Sequence, residues 1–72
     1  YAETHFNLAI ALLALPNQKE QIPQAIAELE RSIAIEPGFY RSYLALGQIY
    51  AQLGEKTKST MYLQKANDLM KH

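Results

Sequence analysis

Tyr43-Leu44-Ala45-Leu46-Gly47-Gln48-Ile49-Tyr50 decides how the rest of the chain is read. Tyr43, Leu46 and Tyr50 fall at i, i+3 and i+7, the spacing that puts side chains on one face of a helix. Gly47 sits beside that face without a side chain, so a second helix can approach closely. Ser59, Leu63 and Ala66 follow at helical spacing and supply that second helix. The spacing predicts one helix from about Tyr40 to Leu53 and another from about Glu55 to Lys71, with Gly54 as a C-terminal cap. Ser59, Leu63, Ala66 and Leu69 would face inward, while Lys58 and Lys65 would point outward.

The N-terminal half reads the same way. Ala2 to Leu15 is rich in Ala and Leu, strong helix formers. Leu8, Leu12 and Leu15 form one apolar stripe, and Phe6, Ile10 and Leu13 form another, so this helix is expected to be buried on both sides. Pro16 and Asn17 end it, and the polar stretch Pro16 to Ile22 reads as a loop. Pro23 suits the first turn of a helix, where its missing N–H costs nothing. Ala25, Ile26, Leu29, Ser32 and Ile33 mark the buried face of that helix. Glu28 and Arg31 pair at i, i+3 on its outer face. Pro37-Gly38 stops it, glycine permitting a left-handed cap. No stretch alternates as a strand does.

The chain has 72 residues, 49% of them hydrophobic, which implies one small domain with a packed core and not disorder. It contains no Cys, so disulfides and thiolate metal sites are excluded. No apolar run reaches the roughly 20 residues of a membrane span, and Leu8 to Leu15 is short and not led by basic residues, so it does not read as a signal peptide. The chain opens on Tyr1, not methionine, which reads as a segment of a longer protein. The net formal charge is zero. Even so, residues 1 to 36 are acidic by three (Glu3, Glu20, Glu28, Glu30 and Glu36 against Lys19 and Arg31). Residues 37 to 72 are basic by three (Arg41, Lys56, Lys58, Lys65 and Lys71 against Glu55 and Asp68). The plain reading of this asymmetry is solvated surface.

The two halves echo each other. Leu8-Ala9-x-x-Leu12 parallels Leu46-Gly47-x-x-Tyr50, and Ala25-x-x-x-Leu29 parallels Ser59-x-x-x-Leu63. The first half carries four extra residues between these motifs, and Pro16 to Ile22 is their natural place. The pattern resembles the tetratricopeptide (TPR) repeat, a helix-turn-helix unit of about 34 residues with a W-x2-L-G-x2-Y…A-x3-F…P signature. The resemblance spans the chain as two units, a degenerate one at residues 1–39 with an extended inter-helix loop and a well-matched one at residues 40–72. In the first, His5 stands where a large aromatic is expected, Ala9 replaces glycine and Leu12 replaces tyrosine. In the second, Ser59 replaces alanine and Lys71 stands where proline closes the repeat. Glu36-Pro37-Gly38 fits the acid-proline-turn between units.

The resemblance implies an all-α antiparallel superhelix, or solenoid, whose first helices line a concave groove. That groove would be formed by Glu3, Phe6, Ile10 and Leu13 from the first helix and Arg41, Leu44, Gln48 and Ala51 from the third. Such grooves hold an extended or helical segment of another protein, which makes this chain a protein-interaction scaffold and not an enzyme. The subclass that grips chaperone C-terminal carboxylates uses Lys, Asn and Arg. Here Phe6, Ile10, Leu44 and Ala45 stand where those polar groups would be, so a chaperone tail is not the expected partner.

Little else carries chemistry. The imidazoles His5 and His72 lie near opposite ends and lack acidic neighbours at ligand spacing, so neither a metal nor a cofactor is expected. His5 reads as a core or interface residue. No Gly-x-Gly cluster cradles phosphate, and Ser32, Ser42 and Ser59 lack the surroundings of a nucleophile. Lys56, Lys58, Lys65 and Lys71 have no stacking platform beside them, so nucleic acid is not expected as a partner. The alternative to a binding groove is a structural segment of a larger repeat protein. In that reading Phe6, Ile10 and Leu13 pack on neighbouring helices, and the uncapped ends self-associate. The last helix would leave Tyr62, Leu69 and Met70 uncovered.

Overall fold

A computed structural model describes residues 1–71 as four helices: α1 (Ala2–Leu13), α2 (Gln18–Ile35), α3 (Tyr40–Gln52) and α4 (Lys56–Met70). α1 packs on α2, α3 packs on α4, and the two hairpins join along α2 and α3. The core runs through Ala9, Ile22, Ala25, Leu29, Ala45, Leu46, Ile49 and Tyr50. Leu29 and Leu46 are fully buried; burial of a leucine side chain is worth about 1.5–3 kcal/mol. The molecule is a slab of 36 × 29 × 15 Å.

The approach of α4 to α3 follows from Gly47. A Cβ built there would lie 2.6 Å from Leu63 Cγ and Cδ2. Ser59, one turn before Leu63, donates its hydroxyl to the Gly47 carbonyl at 2.9 Å in a buried bond. The serine standing where the repeat carries alanine thus ties the two helices together.

α3 ends in a Schellman turn. The Gly54 N–H bonds the Ala51 carbonyl and the Glu55 N–H bonds the Tyr50 carbonyl, with Gly54 in the left-handed region at φ 80°. α2 stops differently. Glu36 is extended (φ −137°, ψ 90°), as a residue before proline prefers. Gly38 is not left-handed, so Pro37 ends α2 and the expected glycine cap does not form.

Three further expectations are corrected. The stretch Pro16 to Ile22 is not an extended loop: α2 begins at Gln18, and the four extra residues lengthen the helix. Ile22 is buried in the core, and Asn17-x-x-Glu20 starts the helix, with Asn17 Nδ2 bonded to Glu20 Oε2 at 3.2 Å. Pro23 is therefore inside the helix and not in its first turn. Second, α1 is not buried on both sides, because Leu8, Ile10 and Leu15 stay exposed. Third, Tyr62 is not left uncovered. It is half-buried, its ring stacked on Tyr50 (5.6 Å, 7°) and tilted against Tyr43 (6.2 Å).

Candidate functional site

The residues expected to line the groove lie on α1 and α3. These helices meet at their N-terminal ends, where Arg41 Nη1 stands 3.8 Å from Glu3 Oε2. Both side chains are more than half exposed, so the pair contributes little stability. Phe39, just before α3, packs its ring edge-on against Phe6 at 5.5 Å and 69°. The Arg41 guanidinium lies 5.8 Å from the Phe39 ring centroid, within cation–π range. The structure thus brings Glu3, Phe6 and Arg41 together.

The other five continue two lanes by helical spacing. Glu3, Phe6, Ile10 and Leu13 share one face of α1, and Arg41, Leu44, Gln48 and Ala51 share one face of α3. Ile10 is 43% exposed, and Gln48 and Ala51 are exposed as well. Phe6 and Leu13 are half-buried and pack against the core; Leu44 is half-buried. Phe6 and Leu13 therefore divide their surfaces between core and open face. Phe39 packs beside Phe6 and Arg41 and was missed in the sequence. The available signal was an aromatic at the last position before a helix.

His5 lies behind this face. Its Nδ1–H donates to Glu28 Oε1 at 2.7 Å, and Arg31 Nη1 donates to Glu28 Oε2 at 3.1 Å. Glu28 is buried, not on the outer face as expected; His5 occupies the α1–α2 interface. His72, the other candidate imidazole, lies outside the described residues. Among the described residues no three His, Asp or Glu side chains cluster to hold a metal ion. No described helix is long and apolar enough to cross a membrane.

A cleft elsewhere in the molecule was not anticipated. A cleft of about 470 Å³ lies between the start of α2 and the end of α3, lined by Ile22, Pro23, Ile26 and Leu53, with Gln18 and Gln52 at its edge. It exists because Gln18 to Ile22 are helical, the stretch that the sequence reading placed in a loop.

This arrangement, two helical hairpins joined along α2 and α3 with a close glycine contact inside the second, defines a helical-repeat module. The family model described as tetratricopeptide repeat matches residues 40–69, which are α3 and nearly all of α4. The resemblance drawn from the sequence stands on that match, in the hairpin where it was strongest. No curated protein and no solved structure matches the chain significantly. Tetratricopeptide repeats are non-catalytic, and they support a general role in protein–protein interaction.

Proposed function

We propose that the α1–α3 face receives an extended or helical segment of another protein. The observation carrying this reading is the approach of α1 and the start of α3 at one end of the face, through Glu3–Arg41 and Phe6–Phe39. Apolar side chains of the partner would bury against Phe6, Ile10, Leu13 and Leu44. Gln48, and the guanidinium N–H groups of Arg41 turned away from Glu3, would meet its backbone carbonyls or a carboxylate. The chain acts as a rigid scaffold with no catalytic step of its own. The two units, residues 1–39 and 40–72, share this work: the first supplies one lane, the second the other.

A phage-displayed random peptide library panned against the chain tests this reading. Enriched peptides should carry apolar side chains at regular spacing. They should lose binding to a variant combining Ile10→Glu and Ala51→Glu, whose helicity is unchanged. Failure to enrich any peptide, or equal binding to the folded variant, overturns the groove.

A further inference from the structure

The cleft between the start of α2 and the end of α3 is built by a departure of the first hairpin from the second. By the internal register (Ala25 with Ser59, Leu29 with Leu63), Ile22, Pro23 and Ile26 fall on Lys56, Thr57 and Thr60. Three polar positions of α4 are thus apolar in α2, and all three line the cleft. α2 also begins at Gln18, one turn ahead of Ile22, whereas α4 begins at Lys56, the counterpart of Ile22. That extra turn reaches past the end of α3, where Gln52 and Leu53 form the opposite wall. Among the described residues none of α1 or α4 lines the space. The cleft is therefore separate from the α1–α3 face and owes nothing to the first or last helix.

Its volume of about 470 Å³ lies within the range of about 300–1,000 Å³ typical of sites that hold ligands. Its walls ask for three chemistries at once. Ile22, Pro23, Ile26 and Leu53 form an apolar floor, and Leu53 is 46% exposed, so a large apolar group would bury against it. The side chain of Lys19 is at the edge. Among the described residues no carboxylate pairs with it, since the neighbouring Glu20 bonds Asn17 instead. Pro23 has no N–H to give the Lys19 carbonyl, which leaves an acceptor without its in-helix donor between two residues of the wall. We infer that the cleft holds a short segment of another polypeptide in which a large aromatic residue is flanked by acidic ones. The ring covers the floor, where aromatic side chains bury the most area. A carboxylate meets the Lys19 ammonium, and a backbone N–H of the segment donates to the Lys19 carbonyl. A fatty carboxylate would satisfy the floor and the ammonium but brings no donor; adjacent residues of a polypeptide supply all three.

Amide chemical-shift mapping tests this with a blocked peptide in which tryptophan is flanked on each side by aspartate and then glycine. Shifts should be confined to residues 18–26 and 52–54. A peptide with lysine in place of aspartate should bind about tenfold more weakly, and the preference should reverse in Lys19→Glu, a change at an exposed position. Pro23→Ala returns an N–H to the Lys19 carbonyl. It should weaken binding about threefold to tenfold, the worth of one hydrogen bond, in a chain that is at least as stable. The variant combining Ile10→Glu and Ala51→Glu should bind this peptide as the wild type does. Absence of shifts at millimolar peptide, equal affinity for the two peptides, or unchanged binding to Pro23→Ala overturns the inference. Shifts that vanish in the Ile10→Glu, Ala51→Glu variant overturn it too, and leave the α1–α3 face as the binding surface.

Discussion

Leu63 fills the space that a side chain on Gly47 would take, with its Cγ and Cδ2 2.6 Å from that position. Gly47→Ala gains about 1 kcal/mol of helix propensity but forces Leu63 aside at a cost of about 1–3 kcal/mol. A net fall in urea midpoint is expected. Combined with Leu63→Ala, the loss should be smaller than the sum of the two single losses. A more stable Gly47→Ala variant would mean that α4 lies further away.

Pro23 is the sixth residue of α2. Its ring removes the N–H that would reach the Lys19 carbonyl, and proline inside a helix costs up to about 3 kcal/mol relative to alanine. Pro23→Ala should therefore raise the melting temperature. Were Gln18 to Ile22 a loop, Pro23 would open the helix and the same change would be neutral or harmful.

Glu28 is buried and held by His5 and Arg31. The corresponding positions in the second hairpin are Tyr62 and Tyr43, whose rings pack together at 6.2 Å. One hairpin uses a hydrogen-bonded carboxylate where the other uses aromatic contact. His5→Leu should cost about 1–3 kcal/mol, because it strips a partner from a buried acceptor. The double variant His5→Tyr with Glu28→Tyr should recover most of that loss in a denaturation cycle.

The Tyr62 hydroxyl is held above the ordinary tyrosine range, first by burial and then by Tyr50, Glu30 and Tyr43. The unfolded chain releases this proton at about pH 10, before the folded chain does. Stability is thus lost as pH rises through the unfolded value toward the raised folded one. Melting temperatures measured from pH 9 upward should fall more steeply in the wild type than in Tyr62→Phe.

The α3–α4 hairpin was legible because its signals are local. Gly47 between two tyrosines demands a close helix, and Gly54 ends α3 by the only φ that needs glycine there. α1–α2 was less legible for physical reasons. Pro23 is compatible with a helix start, so it drew the boundary away from Asn17-x-x-Glu20. Glu28 carries a charge, and periodicity assigns charges to the outer face; only the distant His5 makes its burial affordable. Phe39 lies between helices, where no periodicity applies. The exposure of Leu8 and Leu15 was hidden because an apolar stripe looks the same whether it is covered or waiting for cover.

The connections between helices are three or four residues long, running through Ala14 to Asn17, Glu36 to Phe39 and Leu53 to Glu55. Strong packing joins helices that are consecutive in the chain. The search for the native state is correspondingly short, because each helix need only find the one just before it. Such a chain belongs among fast folders, completing the process in roughly microseconds to milliseconds. Either hairpin can form first and serve as the surface on which the other closes.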